Sequence, residues 1–243
     1  GRVPDPVHLA TKIRDLLNSF VVFPKPEQAA LVALWIMATY MFELFNAFPY
    51  LHLFGPAGSG KTKLLSVLSQ LVYNPVFTGN ISLAAMFRVV EATAGTVLLD
   101  EAEILGTDFG VEHKLLLNGG YKKGACVYRM EQGEGGKFGI REFNIFSPKA
   151  LGSINPLPGT LGSRCIQIQT LPAKGHASSK LVDFESTSFQ SLRNALYRFG
   201  LGSFQKVRTA YRTGAGVEDL FGRERELWAP LKAIESVIKG GKK

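Results

Sequence analysis

The 243-residue sequence predicts an α/β fold: a parallel sheet with helices on both faces, and further helices at each end of the chain. Three observations carry this. Between Tyr50 and Thr170, short apolar stretches alternate with helical patterns. Such alternation belongs to parallel sheets, whose helical crossovers cover both faces. One apolar stretch, 51–54, runs into a glycine-rich turn and then a helix opened by Lys61. Another, 96–99, runs into two carboxylates, Asp100 and Glu101.

The elements follow in order. Residues 7–20 place Leu9, Ile13, Leu16, Leu17 and Phe20 on one helical face. Pro24 and Pro26 interrupt the chain. Pro26-Glu27 opens a second helix, at the position where proline's missing N–H costs nothing. This helix is expected to reach about Ala47, before Pro49. It holds the longest apolar run, 29–42. That run is shorter than the roughly 18 residues needed to span a bilayer, so it reads as a buried core helix. Strands are expected at 51–54, 75–78, 96–99, 143–153 and 164–170, and helices at 61–72, 82–91 and 112–118. The alternation Cys165-Ile-Gln-Ile-Gln169 suits an edge strand. Residues 184–238 read as a small helical lid with breaks at Gly200, Gly202, Gly214, Gly216 and Gly222. The polar stretch 174–180 marks its boundary. The expected organisation is an N-terminal helical segment over 1–49, a core over 50–173 and a lid over 181–243.

Composition removes several classes. Apolar residues make up 46% and charged residues 20%, as in an ordinary globular chain. The two cysteines, Cys126 and Cys165, and four scattered histidines exclude a disulfide scaffold and the common zinc motifs. The formal charge of +8 favours a polyanionic partner. No basic-then-apolar leader precedes the first helix. The chain opens with Gly1 rather than Met, which reads as a piece cut from a longer protein. A cytoplasmic location, or its equivalent in a host cell, is expected.

Gly55, Pro56, Ala57, Gly58, Ser59, Gly60, Lys61 and Thr62 match G-x-x-x-x-G-K-S/T at every fixed position, between an apolar strand and a helix. Glycines let such a loop wrap a phosphate chain, and the helix N-terminus faces the anion. Lys61 would reach the β and γ phosphates of ATP, and the Thr62 hydroxyl would hold Mg²⁺. Asp100, at the end of its strand, would hold the same ion, with Glu101 polarising the attacking water. Glu103 completes Asp-Glu-Ala-Glu, superficially similar to a DEAD-type box, but the other motifs of that class are absent. Arg164 follows the loop 157–163 and opens a strand. Placed on the ligand edge of the sheet, it would stabilise charge on a neighbouring subunit's nucleotide; a local salt bridge or cap is the alternative.

These residues resemble the AAA+ ATPases: the P-loop at 55–62, the acidic pair at 100–101, and Leu161-Gly-Ser-Arg164. Shorter blocks at 81–88, 117–124, 147–150, 157–161 and 223–231 are similar to DUF3631-type ATPase domains of phage, plasmid and integrated-element replication proteins. The resemblance implies a P-loop NTPase core of AAA+ type and a ring, usually of six subunits, with ATP between neighbours. It implies a first sensor at Asn155, with Ser147 the alternative, and a second sensor at Arg223 or Arg225. It also implies DNA, mainly single-stranded, as partner, and primase-like modules in the longer proteins.

Lys122 and Lys123 follow a Gly-Gly pair. Residues 127–141 read as a hairpin around a glycine cluster, with Lys137 near its tip. Lys122, Lys123 and Lys137 are the candidate DNA contacts, and a plain solvated hairpin is the alternative. The leading reading is an oligomeric ATPase that translocates on or unwinds DNA. The rival is a ring ATPase that loads or remodels protein partners.

Overall fold

Asp5 closes the first helix by accepting the N–H groups of Val7 and His8, and helix α1 runs over Pro6–Phe20. The computed structural model describes residues 2–102, 111–132, 136–157, 159–172 and 180–240. Helix α2 spans Pro26–Thr39; its first turn is exposed and its second half, Trp35–Thr39, is wholly buried. It stops short of the expected 47. A short 3₁₀ turn, Phe42–Leu44, follows. Unwinding lets successive aromatics face different ways: Tyr40 meets Tyr73 and Tyr197, Phe42 meets Phe146, and Phe45 meets Tyr211. A continued helix could not aim them so.

The central sheet contains β1 (Tyr50–Phe54), β2 (Pro75–Thr78), β3 (Thr96–Leu99), β6 (Lys149–Ser153) and β7 (Cys165–Gln169). Its order is β2-β3-β6-β1-β7, and every pairing is parallel. Between β3 and β6 the chain makes a separate antiparallel hairpin, β4 (Cys126–Gln132) with β5 (Phe138–Asn144). The single strand expected over 143–153 is therefore two. Asn144 ends the hairpin, its side chain accepting the Phe146 N–H at 2.9 Å, and Pro148 has no N–H to offer a ladder.

Side chains alternate across the sheet. Leu51, Leu53, Leu98, Ala150, Ile166 and Ile168 join one buried cluster, whereas Tyr50, Leu99 and Leu151 join another. The first face is covered by α1, α2, α3 (Lys61–Leu71), α7 (Thr187–Thr213) and α8 (Gly222–Gly240). The second is covered by α4 (Leu83–Thr93), α5 (Val111–Gly119) and α6 (Gly159–Gly162). Each large apolar side chain so buried contributes about 1.5–3 kcal/mol. The N-terminal and C-terminal helices thus form one layer. α7 runs unbroken through Gly200 and Gly202, which were expected to interrupt it. They allow close packing: a Cβ at Gly200 would stand 3.2 Å from Tyr40 Cβ, and one at Gly202 2.1 Å from Val3 Cγ2. Strand β7 is an edge, as its alternation predicts. Among the described residues no helix is long and apolar enough to cross a membrane.

Candidate functional site

The 55–62 loop leaves the C-terminal end of β1 and enters α3. Gly60 is the N-cap at φ 89°, and no side chain caps the helix. The first N–H groups of α3 therefore remain available to an anion. Gly55 is required by contact: a Cβ there would lie 2.4 Å from the Thr170 carbonyl oxygen. Lys61 Nζ donates to the carbonyls of Gly55, at 2.7 Å, and Pro56, at 3.0 Å. Ser59 Oγ lies 2.7 Å from Thr170 Oγ1, just past the end of β7. Thr170 was not singled out in the sequence; its role depends on β7 pairing beside β1.

Strand β3 is wholly buried and delivers Asp100 and Glu101 to the same edge of the sheet. Asp100 Oδ1 accepts the Glu101 N–H at 3.1 Å. A Cβ on Gly152 would approach Asp100 Oδ1 to 3.1 Å and Leu65 Cδ1 to 3.0 Å, so β6 makes room for that carboxylate with a glycine. Glu101 has φ 56°, a left-handed conformation costing a non-glycine residue about 1 kcal/mol or more. It turns Glu101 away from the direction Asp100 takes. Ala57, Gly58, Lys61, Thr62, Asp100, Glu101, Gly152 and Ile154 line one open cleft of about 530 Å³. Glu103 lies outside the described residues, as do the hairpin glycines at 133 and 135 and nearly all of the polar stretch 174–180.

Strand β6 lies between β1 and β3 and ends at Ser153. Ser153 Oγ donates to Asn155 O at 2.6 Å, and His52 Nε2 is 2.7 Å from Ser153 Oγ. Since the hydroxyl spends its proton on Asn155, His52 donates from Nε2. Its buried Nδ1 then lacks a partner. Burial pushes the imidazole pKa down to about 4. Asn155 is exposed and does not line the cleft; Gly152 and Ile154 do. Ser147 lies before β6, at the opposite edge.

Arg164 requires a correction. It precedes β7, so in a parallel sheet it sits at the N-terminal edge, not the ligand edge where β1 and β3 deliver Lys61 and Asp100. Tyr50, which begins β1, donates its N–H to Arg164 O at 3.1 Å. Arg164 Nε donates to Asn118 O at 2.9 Å, Nη1 to Thr160 O, and the guanidinium lies 5.0 Å from the Tyr121 ring centroid. The C-terminal end of α5, with its negative dipole end, holds this cation. At the same edge, opening β6, is the fully buried Lys149, unremarked in the sequence although a lysine inside an apolar strand is a signal. Its Nζ reaches Ile145 O, Ser147 O and Ser147 Oγ, each at 3.0 Å, and Gly120 O at 3.5 Å. Burial pushes its pKa down to about 7.

Arg223, in the first turn of α8, donates from Nη1 to Ser163 Oγ at 2.8 Å. It too is at the Arg164 edge, away from Lys61. Arg225 turns toward Gly214. Lys122 pairs with Glu226 at 3.1 Å, which raises its pKa, and Lys123 donates to Glu43 O at 2.7 Å. Lys137 is exposed beside the far end of the hairpin, where Gln132 pairs with Phe138. The hairpin's seven-residue strands are roughly 24 Å long, so the structure does not bring Lys137 together with Lys122 and Lys123.

No family model matches the chain, and no curated protein does. The DUF3631-type resemblance therefore rests on short sequence blocks. Distant likenesses occur among solved structures. The apo C-terminal region of NrS-1 is 15% identical, covering 100% of this chain and 52% of that one, with a TM-score of 0.44. JCV helicase is 14% identical, covering 96% of this chain and 60% of its own, with a TM-score of 0.44. SCCmec type IV Cch, described as an active helicase, is 11% identical, covering 99% and 47%, with a TM-score of 0.46. The chain thus spans about half the length of the structures it resembles. At this distance the likeness carries no functional argument, and the site rests on its own geometry.

Proposed function

We propose that this chain is an ATP-hydrolysing motor domain that works as a ring of identical subunits and moves on DNA. One observation carries the reading. Lys61, Thr62, Asp100 and Glu101 share a cleft at the C-terminal edge of the sheet, while Arg164 sits at the opposite edge. A single subunit cannot bring the two together. Head-to-tail stacking of copies can, and such a heterologous contact makes a ring when its rotation closes.

In this reading the α3 N-terminus and loop N–H groups cradle the phosphates, and Lys61 exchanges its loop carbonyls for them. Thr62 and Asp100 are hard oxygen donors, the set that suits Mg²⁺ bound jointly with phosphates. When bound, Mg²⁺ would neutralise charge on the phosphate oxygens. Among the described residues there is no group of three or more His, Cys, Asp or Glu side chains that would make a separate metal cage. Glu101 takes the proton of the attacking water, and the neighbour's Arg164 stabilises charge on the transferred phosphoryl group.

Lys137 supports DNA over protein as the track, because it stands exposed beside the hairpin tip in a chain of charge +8. The test is ATP turnover with single-stranded DNA titrated at several salt concentrations. Stimulation that weakens with salt, and a flatter salt dependence in Lys137→Ala, is expected. Turnover indifferent to DNA but raised by a protein partner would favour the remodelling reading.

A further inference from the structure

The first turns of α8 are fastened to the edge where β7 begins. Arg223 Nη1 is 2.8 Å from Ser163 Oγ, and Ser163 directly precedes Arg164. Glu226 pairs with Lys122 at 3.1 Å, and Leu227 is buried in the cluster that contains Tyr121 and Leu161. The 55–62 loop touches Thr170, just past the other end of β7. Five strand residues separate the two, roughly 17 Å. An arginine side chain extends about 7 Å from its Cα, so Arg223 does not reach the phosphates of its own subunit.

Arg223 and the half-buried Arg164 therefore lie on the same edge, linked through Ser163, whose hydroxyl accepts from Arg223 and donates at 2.8 Å to Thr160 O, the carbonyl that Arg164 Nη1 also reaches. Neighbouring cations repel in water and are stabilised together by a multivalent anion. Of the cations nearby, Lys122 is neutralised by Glu226, whereas the partners described for Arg164 and Arg223 are carbonyls, a hydroxyl and a ring, which leave their charge uncompensated. We propose that Arg223 acts across the subunit boundary as a second cation beside Arg164, on the γ phosphate held by the neighbour's Lys61. This inference rests on the ring reading above. It replaces a sensor that reads its own subunit's nucleotide with one that reads the next subunit's.

Pairwise mixing of inactive variants decides between the two, because they demand opposite outcomes. Arg223→Ala alone should lower ATP turnover about tenfold or more while leaving ATP affinity within about twofold. Mixed with Lys61→Ala, it should recover activity, since some interfaces then join an intact P-loop to an intact arginine pair. In a random equal mixture about a quarter of interfaces are complete. Mixed with Arg164→Ala, it should recover none, because no subunit carries both arginines. An arginine acting within its own subunit reverses both results: none with Lys61→Ala, recovery with Arg164→Ala. Lys61→Ala mixed with Arg164→Ala is the control. If the control recovers and Lys61→Ala with Arg223→Ala does not, this inference alone falls. If neither recovers in rings shown to be mixed, the ring reading falls and takes the inference with it. Full activity of Arg223→Ala by itself also overturns it. Should the alanine variant misfold, Arg223→Lys, which keeps a donor for Ser163 but loses the planar fork, reads out in the same mixtures.

Discussion

Ser59 Oγ and Thr170 Oγ1 share a 2.7 Å hydrogen bond, which fastens the crown of the glycine-rich loop to the residue that follows the edge strand. The bond joins positions 111 residues apart in sequence. It ties the loop to the end of the edge strand beside β1. Thr170→Val keeps the shape and removes the hydroxyl, at a cost of about 1 kcal/mol in stability. ATP affinity should fall several-fold while the chain stays folded. Calorimetric titration checks this, and unchanged affinity would assign the bond to packing alone.

Glu101 should separate activity from stability. Glu101→Gln should retain ATP binding and hydrolyse it slower by ~10² or more, as expected for loss of a general base. Glu101→Gly removes the carboxylate and also the left-handed strain at φ 56°. It should therefore be inactive yet up to about 1 kcal/mol more stable than the parent. Denaturant midpoints paired with turnover measure both, and near-normal turnover in Glu101→Gln would place the base elsewhere.

His52 predicts how stability responds to acid. Its pKa is about 4 in the folded chain, against an ordinary 6.5, because burial disfavours the imidazolium. The unfolded chain therefore takes up the proton first. His52 costs nothing well above pH 6.5, and stability drains as pH falls from about 6.5 to about 4. Between pH 7 and pH 5 the loss amounts to about 2 kcal/mol. His52→Gln keeps a donor for Ser153 without titrating and should flatten that slope in urea melts. An equal slope in both proteins would move the acid sensitivity to other groups.

Lys149 is buried at the same N-terminal edge of the sheet as Arg164. Replacing it with methionine strands the carbonyls of Ile145 and Ser147 in the interior, while Gly120 O keeps the Ser147 N–H. Lys149→Met should destabilise the fold by about 2–4 kcal/mol. A loss below about 1 kcal/mol in chemical denaturation would mean that these carbonyls find other donors.

Much of this was legible in the residues. The loop at 55–62, the acidic pair after a four-residue apolar strand and the hairpin each have local signatures, and the structure contains all three elements. What failed depended on long-range pairing. Arg164 opens its strand whereas Lys61 and Asp100 follow theirs, and the parallel pairing of β7 with β1 fixes what that means. In a parallel sheet, a residue before a strand and a residue after one lie at opposite edges, which places Arg164 and Lys61 apart. Gly200 and Gly202 looked like helix breaks, but α7 accepts them because Tyr40 and Val3 press against it. Lys149 carries a local signal, a lysine in an apolar strand, but the partners of Lys149, His52 and Thr170 appear only in the assembled sheet.

The central claim is that one subunit supplies the P-loop and its neighbour supplies the arginine. The direct measurement is ATP turnover in a titration of Lys61→Ala against Arg164→Ala, each inactive alone, at concentrations where rings form. Mixed rings contain interfaces with an intact loop on one side and an intact arginine on the other. The account predicts that activity appears on mixing and that wild-type turnover per subunit rises with protein concentration. Inactivity at every ratio in rings shown to be mixed, or Arg164→Ala turning over like wild type, would contradict it.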